Sequence, residues 1–290
     1  MTTREEPRSL SGAALAAIAA LLLGLPVAGC VSAGAQVQRC APRPRTLSAS
    51  QPSSLIPVAP RTSAAAAKWA LEEVAHLLPK VARAGLDLHM FYSEDRDDLG
   101  EGGGDGGPPQ VLQSQAPSFP VFTVAGAPPA PADPTALTAK LYCEHLAAWE
   151  HHASRALRAE AARRASAVLV WARKIAGRLL ALASRPIPDT TGAEAGVEPD
   201  ASASVFAATQ VARAAPRPTV VFLGGLTALA APAQNFGFPA HLVALVRSTN
   251  PAQVIPAEHA WARWVTRNGG TFTAISANDS PAVIAKTLAS

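Results

Sequence analysis

No apolar run in this 290-residue chain is long and unbroken enough to span a bilayer. The nearest, Leu10 to Val27, is interrupted by Ser11, Gly12, Gly24 and Pro26. Its densest part, Ala13 to Leu23, falls short of the roughly 20 residues a spanning helix needs. Nor is there a block of lysine and arginine. The 25 basic residues are scattered and stand against 21 acidic ones, a net charge of +4, which argues against nucleic-acid binding. Catalytic signatures are missing too: no G-x-S-x-G elbow, no P-loop, no G-x-G-x-x-G directly after a strand pattern and no H-E-x-x-H. No catalytic residue, metal or cofactor is therefore indicated. Cysteine is scarce, with Cys30, Cys40 and Cys143 alone.

What is present begins with a leader pattern. Arg4 and Arg8 make a basic start, offset by Glu5 and Glu6, and a short apolar segment ends in small residues, as a processed secretory signal requires. Val27, Ala28, Gly29 and Cys30 resemble the lipobox of bacterial lipoproteins. That resemblance implies cleavage between Gly29 and Cys30, a diacylglycerol on the Cys30 thiol and usually a further acyl chain on the new amino terminus. Two or three chains anchor stably where one, at about 0.8 kcal/mol per buried methylene, is marginal. The expected location is the extracytoplasmic face of the cell membrane, with membrane lipid as the first partner.

If Cys30 carries lipid, Cys40 and Cys143 remain. Outside the cytoplasm they form either a disulfide or two separate thiols, and spacing alone does not choose between them. Residues 1–29 read as signal peptide. Residues 30–52, rich in Ala, Ser, Pro and Gln without apolar periodicity, read as a flexible tether. Residues 53–290 are long enough to bury one sizeable core.

Within that body, the spacing of Ala70, Val74, Leu77, Leu78 and Val81 predicts a helix that Ser63 can cap and Gly85 stops, with Pro79 imposing a kink or break. LDLHMFYS predicts a strand, a Gly-rich loop follows, and FPVFTVAG predicts another strand. From about 134 to 184 Ala, Leu, Arg and Glu dominate, with no glycine before Gly177; this predicts a long helical insertion containing a break. A helix over Ala203 to Ala214 leads into TVVFLGG, and HLVALVRS follows; both are continuous apolar runs suited to parallel strands covered on both faces. A helix over Ala257 to Asn268, ended by Gly269 and Gly270, precedes the strand TFTAIS and a last helix started by Ser280 and Pro281. The alternation predicts an α/β fold with a doubly wound, mostly parallel sheet and helices on both faces.

This order, with Gly85 before LDLHMFYS, ASVFAATQVARAAPRPTVVFLGG and WARWVTRNGGTFTAIS, resembles a von Willebrand factor A domain. The family's metal site, D-x-S-x-S after the first strand with a later threonine and aspartate, supplies the carboxylate and hydroxyl oxygens a hard cation needs. Here Ala59 replaces the aspartate, Arg61 replaces the first serine and only Ser63 matches. The later acidic position falls on Gly224 or Gly225, and Thr190 or Thr191 is the nearest loop threonine. The resemblance thus implies a degenerate binding loop built from Arg61, Thr62, Ser63, Gly224 and Gly225, with the metal site lost.

Three other clusters read blandly. Glu94, Asp95, Asp97, Asp98, Glu101 and Asp105 lack the oxygen spacing and closing glutamate of a calcium loop. His145 and His152 share a helix face but lie seven apart, so an exposed polar face fits them better than a metal site. The glycines after TVVFL are ordinary turn residues. Two functions from different classes follow: a non-enzymatic, membrane-tethered module binding an extracytoplasmic protein through its strand-end loops, or a divergent exported enzyme such as a hydrolase. Mass spectrometry of the mature amino terminus is expected to find a chain beginning at Cys30 with the thiol acylated; an unmodified chain beginning elsewhere removes the anchor.

Overall fold

Apolar side chains at every position of a short run call for a sheet with both faces covered, and SLIPV, TVVF and HLVALV meet that condition. The computed structural model describes residues 32–59, 64–92, 110–185, 202–223, 226, 231–232, 235, 237–247 and 250–289. In chain order the elements are α1 (Ala33–Arg39), β1 (Thr46–Leu47), β2 (Ser53–Val58), α2 (Ala64–Val81), β3 (Leu86–Tyr92), β4 (Gln110–Gln115), β5 (Phe122–Thr123), α3 (Ala136–Ala183), α4 (Ser202–Ala214), β6 (Pro218–Phe222), β7 (His241–Val246), α5 (Pro251–Arg267), β8 (Thr271–Ser276) and α6 (Pro281–Ala289).

Two compact units are present. The smaller comprises Ala125–Ser154 with the chain up to Pro44, and the larger comprises Arg45–Val124 with Arg155–Ser290. The larger unit holds a six-stranded sheet of order β4-β3-β2-β6-β7-β8. All its neighbours are parallel except β4, which runs antiparallel to β3 at one edge. Strand alternation sorts the side chains into two layers. Leu55, Leu88, Met90, Val221, Val243 and Leu245 pack with α2, the second half of α3 and α6. Ile56, Val58, Phe91, Val220, Phe222 and Leu242 pack with α4 and α5. Helices thus cover both faces, and Trp261 anchors the second layer, its ring centroid 4.8 Å from that of Phe222 and 6.1 Å from that of Trp264.

Several expectations change. Residues 32–52, read as a flexible tether, carry structure: Ser32 caps α1 by accepting from the Ala35 amide, β1 pairs with β5, and Ser50 exchanges two hydrogen bonds with the Phe119 backbone. None of these contacts needs apolar periodicity, so pattern reading misses them. FPVFTVAG contributes only the two-residue β5, while the main-sheet edge is β4, whose polar QVLQSQ follows the Gly-rich segment. An edge strand needs less apolar covering, which hid it.

The long helical region is one unbroken helix of 48 residues, about 72 Å at 1.5 Å per residue. Proline is absent from it, and the single glycine, Gly177, sits where no neighbour crowds it. Ion pairs from Lys140 to Glu144 and from Glu160 to Arg163 and Arg164 add support along its surface. Pro79 does not break α2, which ends only two residues later at Val81, so the kink and lost i→i−4 donor that proline imposes fall at the helix end. α5 starts at Pro251 instead of Ala257: Asn250 accepts from the Ala252 amide, and Pro251 occupies the first turn, where its missing N–H is not needed.

The paired glycines after α5 have separate roles. Gly269 adopts φ +91°, the left-handed conformation that reverses the chain. At Gly270 a β-carbon would lie 2.6 Å from the Ala240 carbonyl oxygen and 2.7 Å from that of Phe238, so two backbones meet where no side chain fits. Gly270→Ala is expected to destabilise the protein by about 1–3 kcal/mol, whereas Gly177→Ala, with open space around it, is expected to be neutral or stabilising. Denaturant midpoints at constant slope distinguish the two.

Candidate functional site

The sheet order places the topological switch between β2 and β6: from β2 the chain winds outward to β3, and it later returns to β2's other side as β6. Open α/β sheets bind ligands outside the carboxyl ends of strands at such a point. The loops after these two strands are the ones that carry Arg61, Thr62, Ser63, Gly224 and Gly225. All five lie outside the described residues, as do Gly29, Cys30, Thr190, Thr191 and the acidic residues from Glu94 to Asp105.

The approach to those loops is described and apolar. Ala59 is buried in the α2-side layer, and its amide donates to the Phe91 carbonyl at 2.9 Å. The Leu223 amide donates to the Val58 carbonyl at 2.8 Å, and Leu223 is buried as well. Ala59, aligned by the resemblance with the first carboxylate of the implied metal site, brings only a methyl group, which offers a hard cation no oxygen. Beside this end of the sheet, the Arg247 guanidinium lies 4.7 Å over the ring of Trp69.

Cys40 and Cys143, in the smaller unit, are joined by a disulfide with Cα atoms 5.5 Å apart. His145, His151 and His152 are exposed on α3, and Glu144 pairs with Lys140 at 3.9 Å. Among the described residues no group of three His, Cys, Asp or Glu side chains is arranged to hold a metal ion, and no helix is long and apolar enough to cross a membrane.

Serine, aspartate and histidine do occupy neighbouring positions on the α4-side face of the sheet. Ser54 on β2 is in register with Asp87 on β3, and His89 Nε2 lies 2.7 Å from Asp87 Oδ2. The Ser54 hydroxyl, however, is buried and makes no hydrogen bond among the described residues. A nucleophile must touch its base and reach solvent; Ser54 does neither.

At the opposite end, where the parallel strands begin, a cavity of about 400 Å³ opens between the end of α2 and the second half of α3. Pro79, Ala82 and Ala84 form one wall, and Ala165, Val168 and Leu169 the other. Its charged groups are Arg83 and Arg164. Neither was singled out from sequence, because they stand 81 positions apart and each looks like one more scattered arginine.

The two arginines are held very differently. Arg164 donates from Nε to Glu160, from Nη1 to the Ser48 carbonyl and from Nη2 to the Pro120 carbonyl, and its guanidinium lies 5.3 Å over the Phe119 ring. Hydrogen bonds from Arg163 and Arg164 hold the Glu160 carboxyl down at about 2. Arg83 donates from Nε to the buried Ser53 hydroxyl at 2.7 Å, and no carboxylate pairs with it among the described residues. Partial burial, with the like charge of Arg217 added, presses its pKa below the ordinary guanidinium value.

No family model matches the chain, and no curated protein or solved structure is significantly similar to it. The tethering role of Arg164 gives a direct test. Arg164→Lys is expected to destabilise the protein nearly as much as Arg164→Ala, by about 2 kcal/mol or more, because one ammonium cannot reproduce three diverging donors. Chemical denaturation of both variants checks it.

Proposed function

We propose that this chain is an exported lipoprotein, held on the extracytoplasmic face of the cell membrane by acylated Cys30. Its α/β domain is a non-enzymatic module that engages a protein partner through the loops at the carboxyl ends of its strands. The observation that carries this reading is the Cys40–Cys143 disulfide, which closes a separation of 103 residues. Such bonds form and persist in oxidising compartments outside the cytoplasm. The lipobox-like Val27 to Cys30 lies a short way before its first cysteine, so leader, lipid site and disulfide point to one location.

The finer resemblance to a von Willebrand factor A domain is part of the same proposal. The order of a central strand, a long helix, an outward strand, and then the α4–β6 and α5–β8–α6 pieces supports it. In this reading the family's metal site is lost. Arg61, at the corresponding loop, meets the partner's acidic group directly. The Ser54 hydroxyl, buried and without a hydrogen bond to the Asp87–His89 pair, favours binding over the hydrolase alternative.

Fractionation of cells expressing the full chain, with thiol labelling of each fraction, tests the proposal. The expected result is a membrane-bound protein with Cys40 and Cys143 resistant to labelling until reduced, and release of Cys30→Ser from the membrane. A cytosolic protein with both thiols free, or turnover of an ester or peptide substrate by the purified chain, overturns it.

A further inference from the structure

The cavity at the amino-terminal end of the sheet lies away from the strand-end loops and goes beyond the proposed partner-binding role. Its volume of about 400 Å³ falls in the range of roughly 300–1,000 Å³ typical of small-molecule sites. Its lining is mainly alanine, valine, leucine and proline, with Arg83 on the α2 side and Arg164 on the α3 side, so it is built for a molecule with a greasy body and a polar end.

The charge pattern defines that end. Arg164 shares Glu160 with Arg163 and spends its other donors on Ser48 and Pro120, so it shapes the cavity more than it waits for a ligand. Arg83 is different. The buried Ser53 hydroxyl fixes its Nε, which orients the planar fork, while both terminal nitrogens remain without a partner among the described residues. A half-buried cation beside a second cation, Arg217, lacks the compensation that partly desolvated charges ordinarily find. A guanidinium with its outer edge open matches the two oxygens of a carboxylate. Inorganic phosphate, polar on every side, leaves the apolar walls unused.

We propose that this cavity binds an amphiphilic organic carboxylate, with the carboxylate on the outer edge of Arg83 and the hydrocarbon between Ala82 and Ala84 on one side and Val168 and Leu169 on the other. Ser53 acts as a positioning residue that holds the guanidinium ready, so little ordering is left for the binding step.

Isothermal titration of the purified chain with octanoate, 1-octanol and inorganic phosphate tests this. Octanoate is expected to bind at one site and to raise the melting temperature, with octanol and phosphate at least about tenfold weaker, since a hydrogen bond to a charged group is worth a factor of ten or more. Arg83→Gln is expected to lose octanoate affinity by about tenfold or more. Ala165→Phe, at an exposed position of α3, fills the cavity without touching the charge; it is expected to abolish binding while leaving the melting temperature of the free protein unchanged. It also decides the matter should Arg83→Gln fail to fold. Equal affinity for octanol and octanoate, stronger binding of phosphate, unchanged octanoate binding in Ala165→Phe, or no octanoate binding at millimolar concentration would each overturn the assignment.

Discussion

β2 and β6 lie side by side in parallel register from Ser54 opposite Pro218 to Val58 opposite Phe222, and successive side chains of each strand go to opposite helix layers. The larger unit depends on this arrangement. A parallel sheet can be reached only through long crossovers, and α2 between β2 and β3, α4 before β6 and α5 between β7 and β8 are crossover helices that also cover its faces. Ile56, Val220, Phe222 and Leu242 are fully buried, and they stay so only while α4 and α5 remain seated. Phe222, Trp261 and Trp264 lock that seat by mutually tilted ring contacts, which contribute beyond their buried area. The close approach at Gly270 belongs to the same constraint, because β8 joins the sheet only if its first residues pass directly beside the backbone of Phe238 and Ala240.

Charge in the larger unit is handled by neighbours on the chain where it can be and by the fold where it cannot. Glu160 stands one helical turn before Arg163 and Arg164, so its carboxylate meets both without help from distant residues. What distant residues add is the use made of Arg164, whose remaining donors tie the segments around Ser48 and Pro120 to α3. Arg83 has no such local acid. Its partner, Ser53, is neutral, and among the described residues the charge with a marked influence on it is another arginine, Arg217. The contrast between a cation fully engaged in structure and one left half-buried is what turns an ordinary crevice into a site with a chemical preference.

In the smaller unit a covalent bond takes over a role that burial cannot fill. α1 has seven residues, none of them buried, and a helix that short does not persist on propensity in water. Its C-cap, Cys40, is bonded to Cys143 on α3, a helix rich in strong helix formers. A hydrogen bond from the Trp149 indole to the Ala125 carbonyl is a further described tie within this unit. This explains why a stretch with the composition of a tether is ordered.

Local chemistry was enough to determine much of this protein. Apolar runs in β6 and β7, the 3.6-residue spacing in α2 and α5, and the proline-free composition of α3 each state their own conformation, and their alternation implies an α/β sheet covered on both faces. The polar edge strand β4, the cystine, and the distinct tasks of Gly269 and Gly270 were not legible, since each depends on which remote backbone or side chain comes near. The same holds for the cavity. Arg83, Ser53 and Arg164 become a site only when the end of α2, the start of β2 and the middle of α3 converge, and no spacing along the chain encodes a distance between groups that the folded sheet alone brings together.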